Sequence, residues 1–147
     1  MEDYSRNNAA PVLERLETMI NRGCSRPIRD VYDELSIFDW WPERLSLSHM
    51  KQMRTFLKEA IKLGFDGYVC FKVGASGCAN GMWAHKEPST DGYSPKGDFL
   101  YRSFTPDYTY YSLKINDKYY PEEKYYDKCN SIKELENLFE MVTGVRV

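Results

Sequence analysis

The chain has only two histidines, His49 and His85, and four cysteines, Cys24, Cys70, Cys78 and Cys129, with no C-x-x-C pair among them. Nitrogen and sulfur metal sites need paired ligands at close spacing. Only Cys78 and His85 approach that pattern, so no metal and no cofactor is expected. The cysteines read as free thiols of a reducing compartment, and Cys70, which alternates with apolar neighbours, reads as core. No apolar run nears the roughly 20 residues of a membrane helix. The opening Met1-Glu2-Asp3-Tyr4-Ser5 lacks the basic start and apolar stretch of a signal peptide, and a cytoplasmic protein is expected. Repeats and low-complexity tracts are also missing. Net charge is −2 over 147 residues. That excludes a global attraction to nucleic acid or to an anionic membrane, and it is too small for a polyanionic mimic of DNA.

What is present is aromatic side chains. Nine of the twelve tyrosines fall between Tyr93 and Tyr126. They cluster at Tyr101, at Tyr108, Tyr110 and Tyr111, at Tyr119 and Tyr120, and at Tyr125 and Tyr126. A sheet buries one row of rings in its core and has fewer places for the second row, which then meets water or a partner.

The apolar period is helical up to Gly64 and strand-like beyond it. A first helix is predicted from about Ala9 to Arg22, capped by Asn8, with Val12, Leu13, Leu16, Met19 and Ile20 on one face. A second, shorter helix follows Ser25 and Pro27 with Ile28, Val31 and Leu35 inward. The bulky Ile37-Phe38-Asp39-Trp40-Trp41-Pro42 is expected to plug the space between helices. The third helix spans about Ser46 or Ser48 to Gly64. It buries Met50, Met53, Phe56, Leu57, Ala60 and Ile61, and lines up Lys51, Arg54, Lys58 and Lys62 on the opposite side.

Strands are predicted at Tyr68 to Val73, Met82 to Lys86, Phe99 to Phe104, Tyr108 to Ile115 and Lys118 to Tyr120. Asn116-Asp117 makes a tight hairpin turn between the last two, and Pro121 stops the final strand. A glycine-rich connection covers 74–81, and a long loop covers 87–98. Ser131-Ile132-Lys133-Glu134 is a capping box, in which the Ser hydroxyl meets one free N–H and the Glu reaches back to another. Ile132, Leu135, Leu138, Phe139 and Val142 form the apolar face of the helix it opens, and Gly144 ends that helix. The fold class is therefore α+β in one domain, 1–147. It comprises a three-helix N-terminal segment, an antiparallel meander of four to five strands, and a C-terminal helix on one face of the sheet.

No motif names a chemistry. The 74–81 loop lacks the Lys-Ser/Thr and the following helix of a phosphate loop. Cys78, His85 and Asp91 compose the one thiol-catalyst set the sequence offers, a small-enzyme alternative that would need a base to make the thiolate. Element order over 9–86 resembles a winged helix-turn-helix, which implies a DNA-binding regulator reading the groove with helix 46–63 through Lys51, Arg54, Lys58 and Lys62. Against it stand the acidic net charge and a wing without Lys or Arg between Val73 and His85.

The leading expectation is a non-catalytic protein-binding regulator or inhibitor. That class includes phage or mobile-element anti-defence proteins acting on a nucleic-acid-handling enzyme. It would dock through Tyr93, Tyr101, Tyr108, Tyr110, Tyr111, Tyr119 and Tyr120. Lys and Arg are mixed evenly with Asp and Glu around these tyrosines, which favours protein over nucleic acid as partner. The Tyr119-Tyr120 edge also offers a route to a homodimer.

Overall fold

The computed structural model describes residues 4–21, 26–27, 44–45, 47–72, 81–90, 95–104 and 109–147. Its elements, in chain order, begin with a 3-10 turn at Tyr4–Asn7 and helix α1 at Ala9–Asn21. A two-residue pair follows, β1 at Arg26–Pro27 with β2 at Arg44–Leu45, and then helix α2 at Leu47–Lys62. Strands β3 (Val69–Lys72), β4 (Gly81–His85), β5 (Phe99–Ser103), β6 (Tyr111–Ile115) and β7 (Lys118–Tyr120) form one antiparallel meander in sequential order. A 3-10 turn at Glu123–Lys128 leads into helix α3 at Ile132–Thr143. The expected helix after Pro27, the Trp40-Trp41 segment, and most of the glycine-rich loop lie outside the described residues. No helix among the described residues is long and apolar enough to cross a membrane.

Helix α2 organises the core. Met50, Met53, Phe56, Leu57 and Ala60 recur at helical spacing and are fully buried. Each of the large ones contributes roughly 2 kcal/mol of gross burial energy, most of which offsets the entropy of ordering the helix. α1 packs along α2 with Val12, Leu16 and Met19 inward, as its period predicts. Asn8 does not act as the expected cap, because its Oδ1 is buried without a partner and the residue instead makes a β-bridge to Tyr68.

Sheet register decides which side chains join this core. Val69, Ala84, Leu100, Leu113 and Tyr120 lie opposite one another across the five strands. Phe71, Met82, Arg102 and Tyr111 form the next row of the same face. These rows meet α2 and α3, so this is the inner face. Arg102 is the polar member. Its guanidinium lies 4.6 Å from the Phe104 ring centre and 5.5 Å from that of Tyr111, and Nη1 donates to the Gln52 carbonyl at 3.4 Å. The hydrogen bond ties the first half of α2 to the sheet, and cation–π contact with Phe104 and Tyr111 holds the guanidinium in place.

The turn between β6 and β7 has Asn116 at φ 51° and Asp117 at φ 65°. Both values are left-handed, which the twist-matched two-residue hairpin turn requires and which Asn and Asp tolerate. At α3 the cap is half as expected. Ser131 Oγ accepts the Glu134 N–H at 3.2 Å, but the Glu134 carboxylate takes the Ser131 hydroxyl proton at 3.0 Å rather than a free N–H. Gly144, at φ 75°, ends the helix in the left-handed conformation glycine adopts without cost.

One buried charge site sits between α2 and α3. Glu59 is 7% exposed, and its Oε1 has no hydrogen-bond partner. Burial first, then the Glu136 carboxylate, push its pKa up to about 7, while Lys62 pulls the other way. Lys62 Nζ lies 3.2 Å from both oxygens of Glu136. The Tyr111 hydroxyl also lies close to Glu59 and to Cys129, and Cys129 in turn to Glu134. A raised carboxyl pKa means the folded state holds a proton that the unfolded chain has lost. Stability from Glu59 is then complete below about pH 4.5 and declines as pH rises to about 7. Glu59→Gln is expected to abolish that slope and to raise stability above pH 7, by about 1–3 kcal/mol, in urea unfolding. An unchanged pH profile in the variant would reject the protonated Glu59.

Candidate functional site

The opposite face of the sheet carries the aromatic surface. Cys70, Trp83, Tyr101 and Ser112 form one cross-strand row. His85, Phe99, Lys114 and Tyr119 form the next. Tyr68 and Tyr110 share this face by the period of two along β3 and β6.

The rings touch in two runs, one in each row. Trp83 and Tyr101 have centres 4.6 Å apart, Tyr101 and Tyr110 5.7 Å, and Tyr110 stacks on Tyr126 at 4.2 Å with planes 6° apart. In the second row His85 lies 6.1 Å from Tyr68 and 5.5 Å from Phe99, and Phe99 meets Tyr119 edge-on at 6.2 Å. Pairs of this kind contribute about 0.5–1.5 kcal/mol beyond their buried area. Lys114 Nζ sits 5.8 Å from the Phe99 ring centre and 5.7 Å from that of Tyr119. Gly81 makes the first row possible, because a side-chain carbon there would collide with the Tyr101 ring. Tyr126 enters from the 3-10 turn at Glu123–Lys128, so a connection closes the end of the row.

Exposure grades across the surface. Tyr68, Cys70 and His85 are buried near β3, while Trp83, Phe99, Tyr101, Tyr110 and Tyr126 are half-buried. Tyr119 is 55% exposed. Burial raises the Tyr101 phenol pKa, and hydrogen bonds with Ser103 and Tyr110 oppose the shift. The Tyr101 phenol is therefore hydrogen-bonded to both Ser103 and Tyr110.

The seven tyrosines expected to bind do not share one surface. Tyr101, Tyr110 and Tyr119 lie on the outer face. Tyr111 points inward at 4% exposure, and Tyr120 packs against the core from the inner row. Tyr93 and Tyr108 lie outside the described residues. Trp83, Phe99, Lys114 and Tyr126 belong to the surface, yet sequence reasoning did not single them out. The alternation Met82-Trp83-Ala84-His85 carried the signal for Trp83, since the small and flexible residues suit the crowded inner face.

The basic stripe is divided. Lys58 Nζ is 3.5 Å from Glu17 of α1, and Lys62 is held by Glu136 of α3. Lys51 and Arg54 make no ion pair among the described residues, so half of the stripe is neutralised by neighbouring helices.

The expected thiol catalyst has no visible pairing, because Cys78 and Asp91 lie outside the described residues. His85 is 6% exposed, and its Nδ1 has no partner. Burial, then Lys114, lower its pKa to about 4. Such an imidazole stays neutral and sealed, an inner wall of the aromatic surface. Cys129 is buried with its thiol pushed up to about 12, chiefly by burial, which suppresses the reactive thiolate. Among the described residues no three His, Cys, Asp or Glu side chains gather as metal ligands.

Comparison of the chain with protein-family profiles, curated proteins and solved structures finds no match.

The histidine gives this surface a pH signature. Its folded pKa is below the unfolded value of 6.5, so its contribution is complete above about pH 6.5 and is lost as pH falls toward 4. His85→Phe is expected to hold or raise stability at pH 7, since an unpartnered buried nitrogen is replaced by apolar ring. It should also remove on the order of 2 kcal/mol of acid destabilisation between pH 6.5 and 4. Thermal unfolding across that range checks it, and a variant as acid-labile as the parent would refute the neutral buried imidazole.

Proposed function

We propose that the protein is a non-catalytic binding protein, a regulator or inhibitor, that docks the outer face of its sheet onto another protein. One observation carries the reading. The outer face carries two rows of touching rings, Trp83–Tyr101–Tyr110–Tyr126 and Tyr68–His85–Phe99–Tyr119, and the second grades from buried at Tyr68 to exposed at Tyr119. Tyr and Trp supply large contact area at low entropic cost, and they dominate the energetic centres of protein interfaces.

The chemistry of the surface favours a protein over a nucleic acid. Stacking on single strands needs cations interleaved along the rings to follow the phosphates. Among the described side chains, Lys114 lies over Phe99 and Tyr119, Lys124 and Lys128 lie over Tyr125 at the neighbouring turn, and Lys124 is also 3.5 Å from Glu122, so these cations are engaged with rings or a carboxylate. A partner with an apolar patch ringed by hydrogen-bonding groups fits both the ring faces and the phenol tips.

Replacing Trp83 and Tyr119 together by Ala is expected to weaken partner binding by about 30-fold or more, the scale of a hot spot. Tyr119→Ala alone should cost less than about 1 kcal/mol of stability, because that ring is mostly in water. Lys51→Glu with Arg54→Glu, on the far side of α2, should leave binding intact. A photo-crosslinking residue at position 119, introduced into the full chain, would identify the partner in the native cell. The partner so identified is then titrated, without any crosslinker, against the parent and each variant. Affinity undiminished in the double alanine variant would sink the proposal, as would loss of affinity in the α2 charge variant alone.

A further inference from the structure

We infer that the cleft where α2 and α3 both end is a binding site for a small zwitterion with an apolar side chain, a free hydrophobic α-amino acid. The cleft encloses about 440 Å³. That lies within the range of roughly 300–1,000 Å³ typical of small-ligand sites. Leu63, Phe65, Ile115, Phe139 and Val142 supply its apolar lining. Phe65 and Phe139 meet edge-on at 6.1 Å, which gives a wall suited to a branched or aromatic side chain.

The polar lining has two signs. Gly64, at φ 91°, closes the end of α2, and Gly144 closes α3. The carbonyl ends of two helices therefore converge on the cleft, and each carries the partial negative charge of its dipole. Asp98 adds a full negative charge. Its Oδ1 accepts the Asn116 N–H at 2.9 Å, which fixes the carboxylate beside the β6–β7 turn and leaves the second oxygen without a partner among the described residues. Lys86 lies next to it, because the Lys86 N–H donates to the Asp98 carbonyl at 3.1 Å. Lys86 is exposed and makes no ion pair among the described residues.

An ammonium group is thus favoured by Asp98 and by both helix ends, and a carboxylate by Lys86, with apolar volume beneath them. An α-amino acid carries both charges on adjacent atoms and its side chain on the same carbon. An amine without the carboxylate leaves Lys86 opposing it. A carboxylic acid without the amine meets Asp98 and two helix C-termini. The cleft adjoins the His85–Phe99–Lys114 row through the chain neighbours Lys86, Asp98 and Ile115 but shares no residue with it, so the inference stands whether or not that surface docks a protein.

The test is a titration of the full chain with L-phenylalanine and L-leucine, followed by amide chemical shifts. Phenethylamine and 3-phenylpropanoate serve as single-charge comparators. Saturable shifts confined to 63–65, 86, 98, 115–116 and 139–145 are expected with the amino acids. Each comparator should bind at least about tenfold more weakly, the loss of one charge-assisted contact. Asp98→Asn keeps an oxygen for the Asn116 N–H and removes the charge, so it should weaken binding by about tenfold or more with the fold retained. Lys86→Met, on an exposed side chain, gives an independent arm with the same expected loss. The inference is overturned if amino-acid shifts are absent or scattered at millimolar ligand, if either comparator binds as tightly, or if both variants bind like the parent.

Discussion

The contact on which everything else depends is the apolar stripe of α2 against the inner rows of the sheet. Met50, Met53, Phe56 and Leu57 are fully buried there with Phe71, Met82, Leu100 and Leu113. A one-residue slip of any strand would turn its whole apolar set to the other side, so this packing locks the register of the central strands. Register in turn sorts the tyrosines. Tyr111 is inside because Arg102 and Met82 are inside, and Tyr110 is outside because Tyr111 is not. The aromatic outer surface is therefore a by-product of how the core closes.

The two faces load their polar groups differently. The inner side holds Glu59, whose carboxyl pKa burial and then Glu136 push up to about 7, with Lys62 paired to Glu136. The outer side holds a neutral His85 between Tyr68 and Phe99. The first contribution weakens as pH rises through about 4.5 to 7, and the second weakens as pH falls through about 6.5 to 4. Their opposite slopes overlap, which flattens the summed dependence across mildly acidic pH.

Much of the architecture was legible because it rests on local rules. The periods of α1 and α2, the Asn116-Asp117 turn, Pro121 after β7 and the Ser131-x-x-Glu134 cap each act over a few residues, and each marks an element found where expected. The site was less legible because it depends on pairing. Alternation requires Tyr110 and Tyr111 to face opposite ways, but only the cross-strand register says which is which. Nothing local announces that Tyr126 returns from a 3-10 turn to stack on Tyr110, or that a histidine next to a lysine-bearing strand is sealed from water. The charged run Glu122 to Lys128 resembles a solvated loop in composition, yet it delivers that ring.

The close rings at Trp83, Tyr101, Tyr110 and Tyr126 have an optical consequence. Aromatic chromophores held at fixed tilts 4.2 to 5.7 Å apart couple their ultraviolet transitions. The near-ultraviolet circular dichroism of the chain should therefore carry a strong component from this row. It reports ring geometry on the outer face, whereas the far-ultraviolet signal reports backbone. Anything that settles on that face, or pries Tyr126 from Tyr110, would then be visible as a spectral change in the unlabelled protein.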